Sequence, residues 1–330
     1  MRFQKRWHLF QQNHKAIQSD FELLTEGMES QELSDSVLST LIDVPVEQNT
    51  GLDSRTEQYL GKINPHVIRR APFRIFEVIQ PVGHRELKSN SIYTALRIDI
   101  SSNMMQSKGS QKIKIKVEAK NGFKAEGVFT INVHNVQLPE LINSQFFYTN
   151  WYSLKKMEEQ HGVERWSESW YKILKKYAKI MAHGRQNSIT LPRELFKFEN
   201  NKISLEADKM LRFVNVFRAE GFKYFEAPHL MNRGKNDDWG DPELKVALTK
   251  RRYYKEAGDK DVEAIMRLIY NFVKTNNLTK NWLQHISDEP TSVNAKCYKD
   301  IAKQIKSIYP EIKIMEATND RDGLVGAIDI

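Results

Sequence analysis

The sequence predicts two domains of different fold class: an N-terminal antiparallel β-sandwich followed by an incomplete (β/α)8 barrel. Three observations predict this. Between about residues 73 and 138, apolar and polar residues alternate at a period of two. Further along, short apolar strands alternate with amphipathic helices, and the loops that follow the strand ends are polar. A chain of 330 residues is long enough for two domains.

Residues 61–140 are predicted to be the sandwich domain. Charged and apolar residues alternate strictly in Lys112–Ala119, Asn121-Gly122 then forms a hairpin turn signal, and Val128–Val136 alternates again as the return strand. Several antiparallel strands of this kind are typical of a sandwich. Residues 1–60 carry no firm pattern. We place them with the sandwich domain, as edge strands or short helices.

The second domain is predicted over residues 141–330, beginning after Leu138-Pro139-Glu140. Helical spacing of apolar residues predicts four helices, at 167–182, 207–217, 262–273 and 298–308. Apolar runs predict five strands, at 146–148, 187–191, 222–227, 282–286 and 312–317. This alternation predicts parallel strands joined by right-handed crossovers.

The loop sequences separate a barrel from other parallel folds. Thr149-Asn150-Trp151-Tyr152 follows the first strand without the glycines of a dinucleotide fold, and no Walker sequence occurs. A barrel has eight strand–helix units, and five are visible. We therefore expect a truncated barrel whose first and fifth strands are unprotected edges.

The composition and charge of the chain argue against several classes of protein. The net charge of +8 and pI near 9.2 permit nucleic-acid binding, but the basic residues are interleaved with acids, so we predict no nucleic-acid partner. No apolar run reaches the length of a membrane span. The basic N-terminus is not followed by an apolar segment, so no signal peptide is predicted. The single cysteine, Cys297, excludes an internal disulfide. Together these features predict a cytoplasmic protein without a membrane partner.

Asp288 and Glu289 are the main catalytic candidates. Neighbouring side chains of a strand point to opposite faces, so two adjacent acids converge only where the strand ends. Pro290 keeps Glu289 out of helical geometry and ends the fourth strand there. Mutual repulsion raises the pKa of one carboxyl in such a pair, which suits proton donation. The alternative is a plain turn, since acids also favour the start of the following helix.

Four sequence blocks carry a resemblance to a known family. In order they are Asn150-Trp151, His161-Gly162-Val163-Glu164 with Trp166-Ser167-Glu168, His183-Gly184-Arg185-Gln186-Asn187, and His285-Ile286-Ser287-Asp288-Glu289-Pro290. Their order and spacing resemble the catalytic domain of glycoside hydrolase family 123. The preceding sandwich and Leu138-Pro139-Glu140 are similar to that family's N-terminal domain. The resemblance covers about residues 73–330.

The resemblance implies a retaining β-N-acetylgalactosaminidase that uses the 2-acetamido group of its substrate as the nucleophile. In that scheme Glu289 is the general acid/base, and Asp288 orients the acetamide and stabilises its developing charge. The implied partner is a glycan or glycoconjugate with a terminal N-acetylhexosamine. Galacto or gluco preference, the linkage and the oligomeric state stay open. The alternative is an inactive carbohydrate-binding fragment or pseudoenzyme, because the family's barrel continues through strands six to eight.

Further site residues are expected around that pair. Trp151 is expected to stack on the sugar, and His229 to bond a sugar hydroxyl. Trp239 and Asp238 lie in the long loop 229–258 and are expected to form one wall of the site. The alternative for Trp151 is a structural tryptophan of the core or the barrel rim. The alternative for the other three is that they are ordinary loop residues. Asn187 and His285 are predicted to be structural. No Asp/His cluster has metal-ligand spacing in the sequence, so no metal and no cofactor are predicted.

Overall fold

The computed structural model describes residues 17–25, 37–48, 69–81, 86–89, 95–99, 109–119, 124–234 and 240–330. The chain divides into two compact units, Met1–Leu138 and Pro139–Ile330. Within the described residues, no helix is both long and apolar enough to cross a lipid bilayer.

The described residues of the first unit include seven antiparallel strands. They are β1 (Ile17–Thr25), β2 (Val37–Val46), β3 (Phe73–Pro81), β4 (Glu86–Ser89), β5 (Ala95–Asp99), β6 (Gly109–Ala119) and β7 (Lys124–Val133). They form a four-stranded sheet in the order β4-β1-β6-β7 and a three-stranded sheet in the order β3-β2-β5. The predicted β6–β7 hairpin is confirmed by its antiparallel register, while its Asn121-Gly122 turn lies outside the described residues. Packing of the two sheets as a sandwich stays a prediction.

The expectation that residues 1–60 form edge strands or short helices is wrong for β1 and β2. Strand β1 lies between β4 and β6, and β2 lies between β3 and β5, so both are interior strands. Their partners lie far along the chain. Because strand position depends on such long-range pairing, the local pattern of 1–60 did not indicate it.

The second unit alternates strands and helices. Its helices are α1 (Leu154–His161), α2 (Glu168–His183), α3 (Ala207–Arg218), α4 (Gly258–Thr275) and α5 (Ala295–Ile308). Its strands are β8 (Ser188–Thr190), β9 (Phe196–Glu199), β10 (Lys202–Leu205), β11 (Tyr224–Glu226), β12 (Met231–Asn232), β13 (Lys245–Val246), β14 (Trp282–Gln284) and β15 (Lys313–Ile314).

Strands β8, β11, β14 and β15 form one parallel sheet whose spatial order follows the chain order. The predicted alternation of parallel strands and helices is therefore confirmed for these four strands. In a parallel sheet all carboxyl ends lie at the same edge, so the loops after the four strands meet there. The pairs β9–β10 and β12–β13 are small antiparallel ribbons inserted between these units.

The helices begin and pack as their sequences dictate. Ser167 caps α2 by accepting a hydrogen bond from the Trp170 N–H at 3.2 Å. Helical spacing places Trp170 and Leu174 on one face of α2, where both are fully buried. The short helix α1 was not predicted. It buries only Met157, so it lacks a repeating apolar pattern.

Asn187 fixes the segment 146–148 beside β8. Its Oδ1 accepts a hydrogen bond from the Tyr148 N–H at 2.9 Å, and its Nδ2 donates to the Phe146 carbonyl at 2.7 Å. The Asn187 and Ser188 N–H groups both donate to the Tyr148 carbonyl. The predicted strand at 146–148 is therefore wrong: this segment is not a regular strand, and the Asn187 side chain supplies part of its hydrogen bonding to β8. This geometry supports the structural role predicted for Asn187.

Replacing Asn187 with alanine is expected to lower the free energy of unfolding of the second unit by about 2–3 kcal/mol. The residue is fully buried, and its loss removes two hydrogen bonds, to the Tyr148 N–H and the Phe146 carbonyl. Urea unfolding followed by tryptophan fluorescence measures the change. The control is Asn215→Ala at an exposed position of α3, which should shift stability by less than about 0.5 kcal/mol. Equal effects of both variants would contradict the assigned role.

The outer side of β15 is paired, contrary to the unprotected edge expected for the fifth strand. The Asp329 and Ile330 N–H groups donate to the Ile314 carbonyl at 2.8 and 3.2 Å, and the Glu316 N–H donates to the Ile330 carbonyl. Asp329 Oδ2 also accepts a hydrogen bond from the Ile314 N–H at 2.9 Å. The sequence prediction ended at residue 317 and did not include this return of the chain.

Candidate active site

Asp288 and Glu289 lie in a turn just beyond β14, at the carboxyl edge of the parallel sheet. Their side chains are 52% and 56% exposed, so both carboxylates reach solvent. The backbone entering the turn is anchored to the neighbouring loop after β11. The Leu230 N–H donates to the His285 carbonyl at 3.2 Å, and the Met231 N–H donates to the Ile286 carbonyl at 2.7 Å.

The loop after β15 holds the same turn from its other side. The Ile286 N–H donates to Glu316 Oε1 at 2.6 Å, and the Thr318 hydroxyl donates to the Pro290 carbonyl at 2.7 Å. Contacts from both flanking loops therefore fix the backbone before and after the two acids. Such fixing is what a site needs if it is to keep reacting groups in place.

Arg233 lies between the two carboxylates. Its Nη2 is 3.6 Å from Asp288 Oδ2 and 3.7 Å from Glu289 Oε2, and it also donates to the Asp288 carbonyl at 3.4 Å. Arg233 belongs to the loop after β11, and its side chain is only 16% exposed. Arg233 thus contacts both acids.

Glu289 has a backbone φ of 42°, in the left-handed region. Side chains other than glycine are strained there by about 1–2 kcal/mol, and strain of this kind concentrates at functional sites. Pro290 disfavours the right-handed helical region for the residue before it, as the sequence predicted.

The strain at Glu289 gives a stability prediction that is independent of catalysis. Glu289→Gly is expected to be more stable than Glu289→Ala by about 1 kcal/mol, because both lose the carboxylate but only glycine relieves the strain. Chemical denaturation of the two variants measures the difference. The same pair at exposed Asn215, within α3, should show the reverse order, because glycine is unfavourable in a helix. Greater stability of the alanine variant at position 289 would argue against the strained turn.

A buried polar network lies directly beneath the turn. His285 Nε2 is 3.4 Å from Glu226 Oε2, and His285 Nδ1 is 3.4 Å from Glu316 Oε1. Glu226 also accepts hydrogen bonds from the Ser188 hydroxyl at 2.5 Å and the Thr190 hydroxyl at 3.2 Å. Side chains from all four parallel strands or their ends therefore meet here. His285 is partnered by buried acids, which supports its predicted structural role.

The network shifts several pKa values. Burial disfavours a charged His285, but Glu226 and Glu316 outweigh burial and raise the pKa of His285 to about 9. Burial raises the pKa of Glu316 to about 7, partly offset by His285. Burial also opposes ionisation of Glu226, yet hydrogen bonds from His285 and Ser188 leave its pKa below the ordinary value. Burial and the His285 charge lower the pKa of His229 to about 4.

Trp151 and His229 lie next to each other at the same edge of the sheet. Their rings are 6.2 Å apart in an edge-to-face arrangement, and His229 is 4.9 Å from the His285 ring. Trp151 is 63% exposed and lines a cleft of about 280 Å³ with Thr190, Arg165, Glu194 and other residues near β8. Small-molecule sites start at roughly 300 Å³. An exposed aromatic beside such a cleft offers a stacking surface.

The described residues thus bring Asp288, Glu289, Trp151 and His229 to one edge of the parallel sheet. Trp239 and Asp238 lie outside the described residues, and their place at the site stays a prediction. Sequence reasoning missed Glu226 and Glu316. Each is a single acid near the end of an apolar strand run, at 222–227 and 312–317, and that exception to the apolar pattern was the available signal.

The site also contains a group of metal-ligand side chains that sequence spacing did not reveal. One ligand atom from each of His229, His285 and Glu316 lies within 4.8 Å of the other two. The three residues follow different strands, namely β11, β14 and β15. Sheet pairing alone brings them together, so sequence spacing did not indicate this group.

Comparisons with known proteins find similarity only in structure. No protein-family model matches the sequence, and no curated protein matches it. One similar solved structure is a family 39 glycoside hydrolase from Bacteroides cellulosilyticus WH2, with 11% identity, a TM-score of 0.31, and coverage of 85% of this chain and 45% of that one. Another is a Bacteroides ovatus GH5 xyloglucanase bound to a XXXG heptasaccharide, with 12% identity, a TM-score of 0.30, and coverage of 76% and 59%. The chain thus spans about half the length of these structures.

Proposed function

We propose that this chain carries the catalytic acids of a glycoside hydrolase acting on terminal N-acetylhexosamines. The observation that carries the proposal is the pair Asp288 and Glu289, half-exposed, adjacent and fixed at the carboxyl edge of a parallel sheet. Active sites of (β/α)8 barrels lie at this edge. We propose that β8, β11, β14 and β15 are consecutive strands of such a barrel, because their spatial order follows the chain order.

The proposed reaction is retaining and assisted by the acetamido group of the substrate. Glu289 protonates the glycosidic oxygen while the acetamido oxygen attacks the anomeric carbon, forming an oxazolinium-type intermediate. Asp288 orients the acetamide N–H and stabilises the positive charge that develops on the group. Water activated by Glu289 then opens the intermediate. One carboxylate is needed at the leaving group and another at the acetamide, which suits two adjacent acids.

The roles of the neighbouring residues follow from their positions. Trp151 offers an aromatic surface beside the cleft, where a sugar ring can stack. Trp239 and Asp238 are proposed as a further wall on the loop that carries Arg233. Arg233 touches both carboxylates, so substrate must compete with it or shift it.

The Arg233 contacts also favour a second candidate function. If the guanidinium keeps both carboxylates occupied, the cleft beside Trp151 binds a carbohydrate without cleaving it. The chain is then a carbohydrate-binding protein or pseudoenzyme.

The test compares p-nitrophenyl β-N-acetylgalactosaminide with p-nitrophenyl β-galactoside, which lacks the acetamido group. We expect release of nitrophenol from the first only, with the β-anomer as the first product by NMR. A thiazoline analogue of the cyclised intermediate should bind in calorimetry. Equal turnover of both substrates would exclude acetamide assistance. Binding to immobilised glycans without product release would favour the carbohydrate-binding alternative. If the chain shows no binding and no turnover, both candidate functions are excluded.

A further inference from the structure

His229, His285 and Glu316 bring their polar side-chain atoms close together at the buried network. His285 Nδ1 and Glu316 Oε1 are 3.4 Å apart, and His229 Nε2 and Glu316 Oε2 are 4.0 Å apart. Glu316 and His285 are buried, with side chains 1% and 6% exposed, while His229 is 21% exposed. Two imidazole nitrogens and a carboxylate thus converge from the ends of three strands.

One of the three separations already has the value that a tetrahedral metal site requires. With bonds of about 2.1 Å to nitrogen and oxygen, the ligand atoms of a zinc ion are about 3.4 Å apart. The His285–Glu316 separation already has this value, and all three ligand atoms lie within 4.8 Å of one another. His229 closes the remaining gap by a small side-chain movement, which its partial exposure permits.

The surroundings of His285 resemble the outer shell of a metal-binding histidine. Such a histidine donates its second ring N–H to a carboxylate, which sets the tautomer and directs the other nitrogen to the ion. Here Glu226 is 3.4 Å from His285 Nε2, and Glu226 is itself held by the Ser188 and Thr190 hydroxyls. His285 Nδ1 is buried and has no partner of hydrogen-bond geometry among the described residues, although Glu316 is near.

We propose that His229, His285 and Glu316 bind a divalent transition-metal ion of the zinc class. Two histidines and one glutamate form a known zinc ligand set that keeps a coordination position open for water or a hydroxyl group. Imidazole and carboxylate together favour such ions over Mg²⁺ or Ca²⁺, which prefer oxygen ligands alone. The alternative occupant of this space is a proton between His285 Nδ1 and Glu316.

Cobalt titration of the chain, after removal of metals with a chelator, tests the site without substrate. We expect one Co²⁺ per chain, visible d–d absorption of a four- or five-coordinate complex, and displacement by Zn²⁺. His229→Gln should weaken binding at least tenfold, and so should Glu316→Gln. Glu226→Gln, which leaves all three ligands in place, should weaken binding about 10–100-fold. His161→Gln, at an exposed histidine whose ring contacts Tyr177, is the matched control and should bind as the unchanged chain does.

The outcomes distinguish failure of the metal site from failure of the proposed glycosidase function. Absence of Co²⁺ absorption in the unchanged chain, or full absorption in His229→Gln, overturns the metal site and leaves the proton as the occupant. Because His229 is partly exposed, that variant decides the question even if Glu316→Gln does not fold. Circular dichroism checks the fold of each variant. Substrate hydrolysis is not used, so inactivity on aryl glycosides leaves the metal result intact.

Discussion

Glu289→Gln is expected to abolish most hydrolysis of N-acetylhexosaminides with poor leaving groups, lowering kcat/KM by about 10²–10⁴-fold. The amide keeps the size of the side chain and can still occupy the turn beside Arg233, but it cannot donate and regain a proton. Steady-state kinetics with a disaccharide or alkyl glycoside measures the loss. Circular dichroism should show an unchanged fold, because Glu289 is more than half exposed.

The leaving group provides the sharper comparison for Glu289. Nitrophenolate departs with little protonic help, so the same variant should lose much less activity on the nitrophenyl substrate than on the alkyl glycoside. The matched control is Glu311→Gln, the same change at an exposed position away from the turn, which should leave both rates unchanged. Equal losses on the two substrates would argue against Glu289 as the proton donor.

Asp288→Asn is expected to lower kcat by about 10²–10³-fold on both kinds of substrate. In the proposed reaction Asp288 acts on the acetamido group, whose attack is required whatever the leaving group. Its carboxylate also stabilises the positive charge on that group, and an amide does not. The signature is therefore a loss that does not depend on the leaving group, measured on the same nitrophenyl and alkyl glycosides.

Binding of the thiazoline analogue tests the same role of Asp288 without turnover. Asp288→Asn should weaken binding of this analogue strongly, whereas Glu289→Gln should weaken it less. The reverse order would exchange the two roles. Loss of analogue binding in the Glu311→Gln control would show that the effect does not arise at the turn.

The sequence was most informative where the signal is local. Ser167 and the spacing of Trp170 and Leu174 predicted α2 to within one residue, because capping and helical periodicity operate over a few positions. Asp288 and Glu289 were chosen as catalytic candidates because they adjoin each other and follow an apolar run, and their catalytic role stays a prediction. Pro290 indicated that Glu289 leaves helical geometry, but it did not indicate the left-handed φ of 42°.

Features that depend on strand pairing were missed. Glu226 and Glu316 were not predicted as site residues, and the approach of His229 to Glu316 was not predicted either. Nothing in the local sequence of these residues indicates that β11, β14 and β15 are adjacent. Arg233 lies in the long loop 229–258, and its contact with both acids depends on how that loop folds back. For the same reason, the local sequence did not predict that β1 and β2 are interior strands of their sheets.

The two strand orders have different consequences for how the chain folds during synthesis. In the second unit each parallel strand pairs with the one made just before it, as in the pairing of Leu283 with Lys313. This part can therefore assemble progressively as it emerges from the ribosome. In the first unit β1 pairs with β6, for example Ser19 with Ala119. Closing that long loop makes the sheet slow to form and leaves β1 without its β6 partner while about a hundred residues are translated.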